Sequence, residues 1–224
     1  VVAIFAHCWP VFEFGLEGNV SMSKEENFIF PVHGELLQRN EKEQLLRQRA
    51  ICIWMTGLSG SGKTSIAKIL ERKLHAEKIL TVMLDGDNIR DGINRNLGFT
   101  EADRKENIRR IAEINKLFIN TGVVTLNCFV SPTAEIRALA SGIIGQTDFI
   151  EVFVDTPLDV CEARDVKGLY AKARAGELKN FTGIDAPFEP PLEPAISIRT
   201  AEKSAEDSAQ ELFEFVIRKI KSVL

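Results

Sequence analysis

The residues best placed to do chemistry are Gly57, Leu58, Ser59, Gly60, Ser61, Gly62, Lys63 and Thr64, which fit G-x-x-x-x-G-K-[ST] and run on into Ser65. Glycines at these positions let the backbone curl until successive N–H groups point into one concavity. A helix starting at the end of the run would add its positive pole, so the segment is suited to cradle phosphate. Lys63 can then reach the terminal phosphates of a nucleotide, and the Thr64 hydroxyl is placed to bind magnesium. The pattern means this only between a strand and a helix. Both are present: residues 51–56 read as a buried apolar strand, and Ile66, Ala67, Ile69, Leu70 and Leu74 mark one face of a helix.

Those elements belong to a longer alternation. Apolar strands are predicted at 51–56, 79–84, 123–130, 149–154 and 195–199, with helices near 101–121, 133–142 and 204–222 and one starting at Pro157 in its first turn. Ahead of them, 35–49, with Leu36, Leu37, Leu45 and Leu46 among charges, reads as an amphipathic lead-in helix. Five apolar strands alternating with helices imply an α/β fold with a parallel sheet covered on both faces. Ligands of such sheets bind beyond the carboxyl ends of the strands, so the residues after each strand are the next candidates.

After the second strand come Asp85, Gly86, Asp87, Asn88, Ile89 and Arg90. Either aspartate could simply cap the turn that follows. Beside a phosphate loop, a carboxylate that orients magnesium-bound water or accepts a hydroxyl proton is the better reading. Thr100 reads as a helix cap, and Arg104 and Asn107, three residues apart, can address one ligand. The segment 165–185 breaks the alternation and carries Lys167, Lys172, Arg174 and Lys179 with three glycines. A basic segment there would act as a lid that closes over phosphates and excludes water. Within it, Asp165 to Gly168 formally matches the D-x-x-G of GTPases, but no N-K-x-D motif accompanies it.

Composition bounds the remaining classes. The 224 residues are 45% hydrophobic, enough for a substantial core. A net charge of −4 argues against nucleic-acid or anionic-membrane partners, and no apolar run approaches the roughly 20 residues of a membrane span. Cys8, Cys52, Cys128 and Cys161 show no metal or disulfide spacing, which suits a reduced, cytoplasmic protein. Residues 1–21 lack persistent periodicity and are expected to be an extension outside the functional domain. Residues 22–50 form the lead-in segment and 51–224 the main domain.

Together the motifs resemble the adenylylsulfate kinases, from about residue 27 onward. The likeness rests on G-L-S-G-S-G-K at 57–63, L-D-G-D-N-I-R at 84–90, N-L-G-F at 96–99, D-R-x-E-N-I-R-R at 103–110 and S-P at 131–132. It continues through F-V-D-T-P-L-x-V-C-E-A-R-D at 153–165, K-G-L-Y-x-K-A-R-A-G-E at 167–177 and F-T-G-I-D at 181–185. The resemblance implies a P-loop kinase sandwich of three layers that moves the γ-phosphoryl group of ATP to the 3′-hydroxyl of adenosine 5′-phosphosulfate, with Mg2+ as cofactor. It implies acceptor contacts from Asp87, Asn88, Arg90, Phe99, Arg104, Asn107, Val130, Ser131, Lys167, Asn180 and Phe181. Phe99 and Phe181 would sandwich the adenine, Arg90 and Arg104 would hold the phosphosulfate, and Arg164 would stack on the ATP adenine. Asp85 is the candidate proton acceptor, holding magnesium through water beside Thr64. Ser131 matches a serine described as a phosphorylated intermediate; direct in-line transfer is preferred, because a P-loop needs no covalent relay to align two nucleotides. A homodimer, and association or fusion with a sulfate adenylyltransferase, are implied too. The chain departs from the family pattern at Thr64-Ser65, Thr133-Ala134 and Asn180. Another small-molecule P-loop kinase, or a non-catalytic nucleotide-binding subunit, is the rival reading.

Overall fold

The computed structural model describes residues 30–221; the extension expected at 1–21 lies outside them. The chain divides into a unit Val1–Leu36, whose described part carries a short 3-10 turn at His33–Glu35, and a unit Leu37–Leu224. All strands and all site residues belong to the second unit.

That unit begins with α1 (Arg39–Leu46) and proceeds through β1 (Cys52–Thr56), α2 (Lys63–Ala76), β2 (Thr81–Asp85), α3 (Gly86–Asp91), α4 (Glu101–Asn120), β3 (Val124–Cys128) and α5 (Ala134–Ile144). It continues with β4 (Phe149–Asp155), α6 (Leu158–Arg164), α7 (Leu169–Arg174), β5 (Ile196–Arg199) and α8 (Ala205–Ile220). The five strands form one parallel sheet in the order β2-β3-β1-β4-β5. β1 is central, and the chain passes from the β3 side of it to the β4 side. The crevice at that reversal lies directly beyond the end of β1, where the glycine-rich loop begins.

Burial along β1 explains why its sequence is apolar without alternation. Ile51, Ile53 and Met55 pack on one face with Ile66, Leu70 and Leu74 of α2 and Leu212 and Val216 of α8. Cys52 and Trp54 pack on the other with Ile108 and Ile111 of α4 and Ile136 and Ala140 of α5. A strand buried on both faces reads as a continuous hydrophobic run. Cys52, Cys128 and Cys161 are free and buried, and burial pushes the Cys128 thiol up to about 12.

Two element readings need correction. The lead-in helix runs Arg39–Leu46 instead of 35–49, because the Glu41 carboxylate accepts from the Gln38 N–H at 2.7 Å to start it and Arg47 turns left-handed at φ 52° to end it. Its leucines do not form the buried face: Leu36, Leu37 and Leu45 are exposed. The buried side chain is Glu43, whose Oε1 accepts from Arg39 Nε and from the Ala50 N–H, both at 2.8 Å, while Arg39 also pairs with Asp148. The helix is fastened by ion pairs. Pro157 is the N-cap of α6, with ψ 147°, one residue outside the first turn. Among the described residues no helix is long and apolar enough to cross a membrane.

Candidate active site

The loop after β1 has the shape its glycines require. Gly57, Gly60 and Gly62 take φ of 148°, 75° and 104°, and a Cβ on Gly57 would lie 2.6 Å from the Val154 carbonyl oxygen, so a side chain there would break the loop's contact with β4. The carbonyl of Ser61 accepts from Thr156 Oγ1 and Thr200 Oγ1, each at 3.1 Å. Arg164 adds a third grip, donating to Gly60 O at 3.3 Å and to Thr200 O at 2.7 Å. These bonds fix the Gly60 and Ser61 carbonyls.

Lys63 opens α2 and is buried. Its ammonium donates to Gly57 O at 2.8 Å and Leu58 O at 2.7 Å, and burial pushes the amine down to about 8. Polyphosphate favours the charged form, so binding must raise that value. Nucleotide binding at about pH 9 is therefore expected to take up close to one proton, and affinity to fall as pH rises above about 8. Calorimetry in two buffers of different ionisation enthalpy measures this; equal binding enthalpies in both would contradict it.

Next to Lys63, the Thr64 hydroxyl donates to Asp85 Oδ2 at 2.8 Å, and Asp85 Oδ1 accepts from the Asp87 N–H at 3.1 Å, capping α3. The capping and the chemical readings of Asp85 hold together, because a carboxylate has two oxygens.

These groups share a cavity of about 880 Å³, at the upper end for small-molecule sites. Of the phosphate loop, Ser59 through Ser65 line it; Gly57 and Leu58 do not, and Leu58 instead packs against Gly183. Of the acceptor candidates, Asp87, Arg90, Phe99, Arg104, Asn107, Val130, Ser131, Lys167, Asn180 and Phe181 line it, as does Arg164. Asn88 does not; it is exposed on α3.

The basic groups converge. Arg90 lies 4.3 Å over the Phe99 ring, and burial, then the charge of Arg104, hold its guanidinium below its ordinary range. Two cations that oppose each other in a cavity define a place for an anion. Arg104 is also a tie. Its Nε donates to Phe99 O at 3.0 Å, Nη1 to Thr182 Oγ1 at 3.0 Å and Nη2 to Asn180 O, leaving two of its five N–H donors for a ligand. One side chain thus fixes the backbone beside both Phe99 and Phe181.

The candidate lid, 165–185, is built on short local bonds. Asp165 accepts from the Tyr170 and Ala171 N–H groups, both at 3.0 Å, and so starts α7; its GTPase-like spacing is a helix cap. The Tyr170 hydroxyl donates to Ser59 O of the phosphate loop at 2.9 Å, and its ring meets Phe181 edge-on at 5.0 Å. Asp185 accepts from the Asn180 and Phe181 N–H groups at 2.6 and 2.5 Å, with Asn180 left-handed at φ 58°, a conformation asparagine tolerates. Lys167 pairs with Asp87 across the cavity from the lid to α3. Sequence reasoning missed Thr156, Thr200, Tyr170 and Asp185. The two threonines stand just past β4 and β5, where the strand-end rule would have found them.

A parallel sheet with a glycine-rich loop at its switch point, a buried lysine and a basic lid define a P-loop kinase of small molecules. The family model for adenylylsulphate kinase matches residues 49–199, and the chain belongs to that family. It is 62% identical over 166 residues to the adenylyl-sulfate kinase of Bacteroides fragilis, covering 74% of this chain and 82% of that one. The adenylyl-sulfate kinase of Bacteroides thetaiotaomicron is 57% identical over 199 residues, 89% of this chain and 99% of that one. Among solved structures, the Mycobacterium tuberculosis APS kinase in complex with AMPPNP and APS superposes with a TM-score of 0.73 at 48% identity, covering 75% of this chain and 98% of that one.

Proposed function

We infer that the protein transfers the γ-phosphoryl group of ATP to the 3′-hydroxyl of adenosine 5′-phosphosulfate, giving 3′-phosphoadenylyl sulfate and ADP. The observation that carries this is the sharing of one cavity by a phosphate loop, the Arg90 and Arg104 guanidiniums and the Phe99 and Phe181 rings, with Asp85 on its wall. ATP phosphates suit the loop and Lys63. A second nucleotide with two anionic groups suits the arginines and the paired rings. Holding both substrates in one cavity converts a bimolecular step into a positioned one.

In the transfer, the bond between the γ-phosphorus and the β,γ-bridging oxygen breaks, a bond from the 3′-oxygen to that phosphorus forms, and Asp85 takes the hydroxyl proton. Lys63 stabilises charge on the phosphoryl oxygens. The Thr64 hydroxyl and the Asp85 carboxylate, 2.8 Å apart on the cavity wall, fit a magnesium ion that Thr64 would hold directly and Asp85 through water. Such an ion supplies electrostatic neutralisation of the triphosphate. Lys167 and the lid exclude water that would otherwise accept the phosphoryl group.

The test is ADP release by the purified protein with magnesium-ATP and adenosine 5′-phosphosulfate, AMP, gluconate or shikimate as acceptor. Turnover with the sulfonucleotide alone is expected. Preference for a sugar acid would move the protein to another small-molecule kinase class, and nucleotide binding without any turnover would make it a non-catalytic subunit.

A further inference from the structure

Ser131 sits just past β3 with its residue surface 3% exposed and its backbone left-handed at φ 43°, a conformation a non-glycine residue holds only when its surroundings impose it. The restraints are visible. Arg137 Nη1 donates to Ser131 O at 2.9 Å, and Thr56 Oγ1 donates to Val130 O at 2.7 Å. A third bond reaches the side chain: Trp54 Nε1 donates to Ser131 Oγ at 3.1 Å.

Trp54 belongs to β1, is fully buried, and does not line the cavity that Ser131 lines. Its ring is wedged between Phe129 and Phe149, with centroids 5.3 and 5.6 Å away. An indole nitrogen is a donor only, so the direction of the bond is fixed and Ser131 Oγ must accept. One lone pair of the hydroxyl is thereby engaged, and its own proton is left to be donated elsewhere. A nucleophilic serine needs a neighbour that takes its proton; the indole cannot do that, and among the described residues no base hydrogen-bonds to Ser131 Oγ.

We propose that Trp54 is a positioning residue that orients the Ser131 hydroxyl to donate a hydrogen bond to an oxygen of the acceptor nucleotide, so that Ser131 binds the acceptor and carries no phosphoryl group. The proposal rests on the function inferred above. It explains why a tryptophan with a polar edge occupies a strand position that an all-carbon side chain could fill.

The test compares wild type with Ser131→Ala, Trp54→Phe and the double variant by steady-state kinetics and thermal melting. Ser131→Ala is expected to raise the acceptor KM about tenfold, leave the ATP KM within twofold, and lower Tm by roughly 5 °C because the buried indole N–H loses its partner. Trp54→Phe keeps an aromatic ring but neither the second ring nor the N–H, frees the hydroxyl rotor, and is expected to raise the acceptor KM about threefold. The double variant should have an acceptor KM no higher than Ser131→Ala and a Tm close to that of Trp54→Phe, since with the indole gone the Ser131 change leaves no orphan. Effects that multiply in the double variant, equal rises in both KM values, or acid-quenched phosphoserine at Ser131 forming at the turnover rate would each overturn the proposal.

If Trp54→Phe does not fold, the Trp54 indole N–H resonance decides the matter. It should move upfield in Ser131→Ala and respond to adenosine 5′-phosphosulfate in the wild type; a resonance unmoved by both means there is no such link. Absence of turnover with the sulfonucleotide in wild type would instead sink the function and the acceptor half of this proposal. Melting and resonance data would still judge the Trp54 link, so the two failures are told apart.

Discussion

Lys63→Ala is expected to lower kcat by about 10³-fold or more while leaving the fold intact. The ammonium is the buried cation of the phosphate loop, tied to the carbonyls of Gly57 and Leu58, and is the proposed partner of the triphosphate. Its charge is worth most where negative charge grows during transfer, so kcat should fall further than ATP affinity. The size of the stability effect separates this from unfolding. Burial holds the folded-state amine at about 8 against 10.5 for the free side chain, so the unfolded chain binds protons more tightly. The cost of burying the charge is fully present below pH 8 and is relieved as pH rises toward 10.5. Removing the amine at neutral pH relieves that cost but also strips the Gly57 and Leu58 carbonyls of its hydrogen bonds, so the two effects oppose and Tm is expected to move by only a few degrees. Parallel melting curves and ADP-release assays check both halves; kcat within tenfold of wild type, or a collapse of Tm, would refute the account.

Such a paired outcome is available because the phosphate loop was legible from its residue types. Gly57, Gly60 and Gly62 stand where backbone curvature demands them, and the flanking strand and helix follow from apolar run and periodicity. The alternation of β1 to β5 with helices was legible for the same reason, as was the Thr100 cap, whose hydroxyl accepts from the Asp103 N–H at 3.2 Å. Strand order was not, since nothing local in β2 or β4 states which edge of β1 it will join. Nor was α1: its leucines suggested an apolar face, while its attachment depends on Arg39 meeting Asp148, a residue 109 positions away.

The same distinction runs through the site. The candidate residues for phosphate and base sit in motifs, whereas those that hold them in place are scattered, because a hydrogen bond to a backbone carbonyl makes no demand on sequence spacing. Thr156 and Thr200 meet at the Ser61 carbonyl and at each other's hydroxyls, 2.6 Å apart, and Tyr170 joins the phosphate loop to the 165–185 segment through Ser59 O. Trp54 looked like core, and it is core; its one polar atom is what reaches Ser131.

Asp85→Asn is the second substitution with a large expected effect, a fall in kcat of about 10²- to 10⁴-fold with both KM values changed severalfold at most. The asparagine oxygen can still accept from the Asp87 N–H, so the cap of α3 survives. The amide nitrogen then faces Thr64 Oγ1, which can rotate to accept where it had donated at 2.8 Å. What the substitution removes is the negative charge and the capacity to take a proton. Asp85→Ala would lose the cap as well, so its extra loss of stability, about 1 kcal/mol, measures that separate role. Asp87→Asn is the control, since Asp87 is paired with Lys167 across the cavity and its loss should weaken lid closure more than chemistry. Asp85→Asn with kcat near wild type, beside Asp87→Asn with kcat lost, would transfer the proton-accepting role to Asp87 and make the Lys167 pair the switch that frees it.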